Sequence, residues 1–333
     1  MNQLVSTKKI KMKHYPLFAI ITLIFFSCSK ENSNEFVTDP GNPYNDTTWV
    51  KTIAANSPVN EIFQILSSPS EDSSFDATNG SLINFSNNVE MTLPANAFNA
   101  GGKAKAEVVF LKTKGDMIRF GKPTTSGDKF LISGGAFHIN VSGNNQSLSL
   151  QNNKQIVIRY ITSHIDPQMT LFYGDTTVNS TDGFTWIASP DTLNTKPVRG
   201  WYKRLDRGYI YGYEILSKKC RWINCDHYAD FNNLQRTKVF STLPANFTNK
   251  NTAVFLVFKD IFCVGRMIGD ADNHVFFTKD VPIGKEIIIV SVSKIGNDFY
   301  LDHQQATVTD NINVQLSPEK KTEQEVIDYL NTL

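Results

Sequence analysis

The sequence predicts an all-β protein: two tandem antiparallel β-sandwich domains behind a flexible tether, closed by a short C-terminal helix. Two observations carry this expectation. Beyond residue 81 apolar side chains recur with a period of two, as in Val89-Glu90-Met91-Thr92-Leu93 and Phe137-His138-Ile139-Asn140-Val141, the spacing of a strand with one buried face. Turn-forming groups such as Gly101-Gly102, Gly143-Asn144-Asn145 and Gly296-Asn297-Asp298 separate these runs at short intervals, which suits antiparallel sandwiches rather than βαβ units with crossover helices.

Residues 1–27 read as a secretory signal. Lys8, Lys9, Lys11 and Lys13 precede an apolar stretch from Tyr15 to Phe26, and Ser27 and Cys28 close it. This is the basic, apolar and small-residue order of an export signal. The stretch falls short of the roughly 20 apolar residues a membrane-spanning helix needs. Cys28 is therefore expected to be lipidated, which tethers a protein to a membrane surface without inserting it. The competing reading is a plain secretory signal cleaved elsewhere.

Residues 28–80 are rich in Asn, Ser, Thr, Asp and Pro, with a turn-forming Asp39-Pro40-Gly41-Asn42-Pro43, and read as a flexible tether. Within them Ile62, Phe63, Ile65 and Leu66 are spaced for a short helix. A first sandwich is expected over 81–195 and a second over 196–333, with the boundary near Asp191 to Pro197. Alternating runs fall at Ala106–Phe110, Ile156–Tyr160, Ala253–Phe258, Ile287–Val292 and Ile312–Leu316. The terminal helix starts at Thr322, whose side chain can cap while Glu325 reaches back. Val326, Tyr329 and Leu330 then share one face.

The full chain has 33 basic and 32 acidic residues, and the four signal lysines leave 29 against 32 after cleavage, a net charge of −3. That balance argues against a nucleic-acid partner, which calls for a basic face or stripe. Thr92-Leu93-Pro94-Ala95-Asn96 and Thr242-Leu243-Pro244-Ala245-Asn246 are identical pentapeptides. Each follows a short strand and precedes an apolar one, from duplication or from the same strand exit arising twice.

The run Met91 to Phe98 resembles an "LPANAF" strand exit of lipid-anchored Bacteroidota envelope proteins. Gly115-Asp116-Met117-Ile118, Gly121-Lys122-Pro123-Thr124-Thr125-Ser126 and Ser133-Gly134-Gly135-Ala136-Phe137 match the "DMI", "GKPTTS" and "SGG.F" segments that follow it there. Phe25-Phe26-Ser27 before Cys28 resembles the relaxed lipobox of the same proteins. The first domain is similar to the ZU5 β-sandwich, a module of protein assembly. The resemblance covers roughly residues 85 to 330. It implies a lipid-anchored outer-membrane protein, and it brings no catalytic residues with it. Fold likeness alone assigns no function.

Chemistry-bearing clusters are sparse. Cys220, Cys225 and Cys263 are left once Cys28 is lipidated. They allow a disulfide, with Cys225 to Cys263 the expected pair, or buried thiols, or a metal site with His227. Cys220-x4-Cys225 is wider than the usual structural-zinc spacing. Asp270-Ala271-Asp272-Asn273-His274 lacks the glycine and distant glutamate of a calcium loop and reads as a solvated hairpin tip. Asp46-Thr47-Thr48, Asp175-Thr176-Thr177 and Asp191-Thr192-Leu193 resemble O-glycosylation sites of exported Bacteroidota proteins. No HExxH pair or G-x-S-x-G elbow occurs, and no cofactor or metal is expected.

Trp201, Tyr209, Tyr211 and Trp222 cluster with Tyr202, Tyr213 and several basic residues. They form either an aromatic binding face for a glycan or protein partner, or packing within the core or at the domain junction. The functional expectation is a non-enzymatic, lipid-anchored outer-membrane protein of adhesion or envelope scaffolding. Its alternative is a carbohydrate-binding or glycan-processing surface lipoprotein.

Overall fold

The computed structural model describes residues 42–176, 183–190 and 196–333. The signal, Cys28, and Asp191-Thr192-Leu193 lie outside the described residues. Tyr44–Leu333 forms one compact unit. Met1–Pro43 is a separate unit, of which Asn42 and Pro43 are described.

The fold is all-β, and the described residues build three sheets. The first runs β1 (Glu71–Asp76), β4 (Lys103–Leu111), β6 (Lys129–Gly143), β13 (Trp222–Tyr228), β9 (Thr170–Asp175), β10 (Thr185–Ala188), with β5 (Thr125–Ser126) and β7 (Gln146–Ser147) pairing β6. The second runs β11 (Val198–Leu205), β12 (Gly208–Ser217), β8 (Ile156–Ile161), β3 (Val89–Leu93), β2 (Ser81–Phe85). The third runs β20 (Asn313–Gln315), β14 (Arg236–Thr242), β17 (Val275–Pro282), β16 (Val264–Asp270), β15 (Thr252–Phe258), β18 (Glu286–Ile295), β19 (Asp298–Thr307), β21 (Glu319–Lys321). Pairing is antiparallel apart from β14 with β20. Helices α1 (Pro58–Leu66), α2 (Lys114–Arg119) and α3 (Glu323–Leu330) complete the described elements of regular helix beyond two short 3-10 turns.

The inner stretches of β6, β13 and β9 in the first sheet lie in the middle and are buried on both faces. Phe137, Ile139, Ile223, Cys225, Leu171 and Tyr173 face the second sheet and meet Met91, Ile158 and Ile215 there. Their neighbours in sequence, Ala136, Trp222 and Phe172, point the other way into a core shared with the third sheet. There they meet Phe255, Val257, Val290 and Val292, together with Val59, Ile62 and Leu66 of α1 and Val326 and Leu330 of α3. The opposite side of β15 and β18 (Val254, Leu256, Phe258, Ile287, Ile289) builds a third cluster inside the curled third sheet. Period two therefore survives in strands with no solvent face, such as β15, which is buried at all seven positions.

This shared core corrects the expected partition. Residues 44–80 are not tether: α1 buries Val59, Ile62 and Leu66, its Glu61 pairs with Lys294 at 2.8 Å, and β1 pairs along β4. The expected boundary between 195 and 196 is also displaced. Strands β11, β12 and β13 are hydrogen-bonded into the first two sheets, so third-sheet strands begin only at Arg236. The C-terminal helix is capped as expected, with Glu325 N donating to Thr322 Oγ1 at 3.2 Å and Thr322 N to Glu325 Oε2 at 2.7 Å. It docks against α2 where Gly115 has no side chain; a Cβ there would lie 1.8 Å from the Leu330 carbonyl oxygen.

Candidate functional site: the β11–β12 hairpin and its cleft

Strand β12 pairs with β8 only from Gly212 onward, whereas its pairing with β11 continues to Gly208 and Leu205. The far half of the hairpin thus overhangs the sandwich. Its two faces meet different surroundings.

On one face, Val198, Tyr213 and Ile215 are buried in the core between the first two sheets. Further along the same face, Tyr202 stands opposite Tyr211 and Arg204 opposite Tyr209. No sheet covers this stretch, and Tyr202, Tyr209 and Tyr211 are 70%, 51% and 51% exposed. The rings support each other, Tyr202 and Tyr209 edge-on with centroids 5.9 Å apart and Tyr209 and Tyr211 tilted at 6.5 Å.

The other face belongs to the outer surface of the second sheet. Arg199, Glu214, Arg159 and Glu90 lie directly opposite one another on β11, β12, β8 and β3, a row of alternating charge across four strands. Arg159 Nε donates to Glu214 Oε2 at 2.7 Å and its Nη1 to Glu90 Oε1 at 3.0 Å, and Arg199 holds the other oxygen of Glu214. Glu214 is only 5% exposed. Burial works against its charge, but the hydrogen bonds and charges of Arg159 and Arg199 outweigh it and hold the carboxyl below the usual range. Such a carboxylate stays ionised, the reverse of the raised pKa a glycosidase's general acid needs.

In the next row Trp201, Gly212 and Ile161 are opposite one another. The half-buried indole donates from Nε1 to the Tyr213 carbonyl at 3.0 Å. A Cβ on Gly212 would fall 2.7 Å from that Nε1 and 1.9 Å from the Tyr160 carbonyl oxygen. Beside the indole opens a cleft of about 510 Å³ lined by Trp201, Lys203, Ile210, Arg159, Glu90, Ile161, Tyr202, Asn84, Phe85, Asn88 and Val89.

The structure therefore divides the expected aromatic face. Tyr209 and Tyr211 lie on the exposed face, and Tyr202 joins them as their cross-strand partner. Trp201 lies on the reverse side at the cleft. Trp222 is not part of either: it sits in the shared core, its ring 4.8 Å from His138, 6.2 Å from Phe120 and 6.4 Å from Trp186. The Arg–Glu row escaped sequence reasoning because it depends on strand register. Its one local signal is Glu214 inside the apolar run Tyr213 to Leu216.

The expected Cys225–Cys263 disulfide is also corrected. Cys220, Cys225 and Cys263 are free thiols. Cys225 faces the core between the first two sheets and Cys263 the core inside the third, so their side chains belong to different layers. Burial pushes the Cys263 and Cys220 thiols up to about 12 and Cys225 higher still, which leaves them unreactive. Among the described residues no group of three His, Cys, Asp or Glu side chains is placed to hold a metal; His227 instead pairs with Asp166 at 3.1 Å. The Asp270 cluster closes its own hairpin tip, Asp270 accepting from Asp272 N, Asn273 N and Asn273 Nδ2.

One buried carboxyl lies apart from the hairpin. Asp226 is fully buried, accepts from Asn224 Nδ2 at 2.5 Å, and its Oδ1 has no hydrogen-bond partner. Burial drives its pKa well above the usual range, with the Ser133 hydroxyl opposing only in part. Because the folded pKa is raised, stability falls as pH climbs past the ordinary aspartate value of about 4. Asp226→Asn is expected to raise stability at neutral pH by about 1 kcal/mol or more and to flatten its pH dependence. Urea denaturation at several pH values checks this; a variant less stable than wild type at pH 7 contradicts it.

No protein-family model matches the chain, and no curated protein matches it.

Proposed function

We propose that this chain is a non-enzymatic, lipid-anchored protein of the outer membrane that acts by binding, in adhesion or envelope scaffolding, through the β11–β12 hairpin. The observation that carries this reading is the exposure of Tyr202, Tyr209 and Tyr211 on a hairpin that overhangs its sandwich. Large aromatic rings left in water are more informative than exposed aliphatics, since tyrosine is enriched where partners dock. The β11 edge also carries Arg199, Lys203 and Arg204, charges that discourage accidental edge-to-edge strand pairing. A second reading, glycan binding, is favoured by the same rings and the polar cleft behind them. Attachment through lipid on Cys28 is supported by the basic, apolar and Ser27-Cys28 order of residues 1–28; among the described residues no helix is long and apolar enough to cross a membrane.

Cell fractionation and protease shaving of intact cells test this, with a Cys28→Ala strain beside wild type. Wild-type protein is expected in the membrane fraction and Cys28→Ala protein in the soluble fraction. For adhesion the wild-type hairpin must be cleaved on intact cells; protection until the outer membrane is broken leaves scaffolding alone. Membrane retention of the Cys28→Ala protein contradicts the anchor.

A further inference from the structure

We infer that the cleft beside Trp201 binds an acidic sugar unit of a polysaccharide, an inference that rests on the binding role proposed for the hairpin. Its volume of about 510 Å³ lies within the range of small-molecule sites and has room for a sugar ring in a way that a flat protein-docking face has not. One wall is the indole of Trp201, fixed by its bond to the Tyr213 carbonyl, a surface on which the apolar face of a pyranose ring can lie.

The remaining walls supply hydrogen-bonding groups without present work. Among the described residues the side chains of Asn84, Asn88 and Lys203 make no hydrogen bond or ion pair, although all three line the cleft. Arg159 uses Nε and Nη1 on Glu214 and Glu90, which leaves its Nη2 for a ligand. Two amides suit sugar hydroxyls, and the Lys203 ammonium and the Arg159 guanidinium, both lining the cleft, suit a carboxylate or sulfate.

Charge complementarity selects the acidic class over neutral sugars. The charged side chains that line the cleft are Arg159 and Lys203 against Glu90, a surplus of one positive charge. Glu90 is held by Arg159 and Glu214 by Arg159 and Arg199, and Lys203 has no acidic partner among the described residues. A membrane surface would also attract these cations, but it has no use for a concave cleft furnished with two amides.

Tryptophan-fluorescence titration of the full-length chain in a neutral detergent tests the assignment, with polygalacturonate as the acidic probe and dextran as the neutral one. Polygalacturonate is expected to bind saturably and dextran at least about tenfold more weakly. Lys203→Ala, and separately Asn84→Ala with Asn88→Gly (glycine because Asn88 has φ 57°, where alanine would be strained), are expected to weaken polygalacturonate about tenfold with melting unchanged, and salt near ~1 M to weaken it further. These substitutions are at exposed or half-exposed side chains, so folding is preserved where Trp201→Ala would put it in question. Equal affinity for dextran overturns the acidic class. Unchanged polygalacturonate affinity in both cleft variants, with loss on Tyr202→Ser, Tyr209→Ser and Tyr211→Ser together, overturns the cleft while the hairpin reading stands. No polygalacturonate binding, with tyrosine-dependent binding to phosphatidylglycerol vesicles, replaces it by membrane docking.

Discussion

Phe255→Ala is expected to cost about 3–5 kcal/mol and to lower the unfolding midpoint of the entire 44–333 unit in one transition. Phe255 is fully buried at the middle of β15, between Arg266 on β16 and Val290 on β18. Its ring meets Phe63 of α1 edge-on at 6.2 Å and belongs to the cluster that also holds Phe172 and Trp186 of the first sheet. Truncation opens a cavity at the junction of both halves, where rigid sheets on either side cannot collapse into it. The shared core is what makes the loss global. Far-UV circular dichroism and tryptophan fluorescence, the latter reporting Trp186 and Trp222 in that core, are expected to shift together. Two transitions, with only one displaced, would mean that the third sheet folds independently of the other two.

Gly212→Ala is expected to destabilise by about 1–3 kcal/mol or more, the cost of overpacking, and to abolish whatever the hairpin binds. The obstruction is backbone: an added Cβ would meet the Tyr160 carbonyl oxygen at 1.9 Å before it reaches the Trp201 indole at 2.7 Å. A side chain can swing aside, but a paired strand must move as a piece. Strand β12 would lift from β8 at the point where the hairpin leaves the sheet, and Trp201 would lose its seat against the Tyr213 carbonyl. Thermal melting and limited proteolysis between Tyr202 and Tyr209 check this. Melting and cleavage identical to wild type would mean that β8 and β12 do not approach so closely.

Much of the strand content was legible because period two reports one thing well, namely which side chains alternate. Val89–Leu93, Ile156–Tyr160, Ala253–Phe258 and the capped helix at Thr322 lie where alternation and capping chemistry put them. The layering was not legible. Alternation is the same whether a strand's second face meets water or another sheet, so Phe172 and Trp222 gave no sign of a core on the far side of the first sheet. Composition misled in residues 44–80 for a related reason. Polar loops there surround a short helix whose three buried residues, Val59, Ile62 and Leu66, find apolar partners far off in sequence, in β15, β18 and α2. The turn-rich stretch near 195 looks like a boundary in the sequence, yet β11 to β13 return to the first two sheets after it, a long-range pairing that local sequence does not encode.

The site shows the same division. Tyrosines clustered in sequence proved to be clustered in space, because a tight hairpin keeps neighbours together. Trp222 is near them along the chain but not in space, since β13 belongs to another sheet. The row of Arg199, Glu214, Arg159 and Glu90 spans four strands from three distant segments, and only register assembles it.

The central claim is that Tyr202, Tyr209 and Tyr211 serve a partner and not the fold. The most direct measurement is the melting temperature of the full-length chain with all three changed to serine. Solvent-exposed side chains away from any core are each worth within about 0.5 kcal/mol, so the account predicts a melting curve close to that of wild type. A fall as deep as that of Phe255→Ala would contradict it, and would make the tyrosine face a structural element of the sandwich.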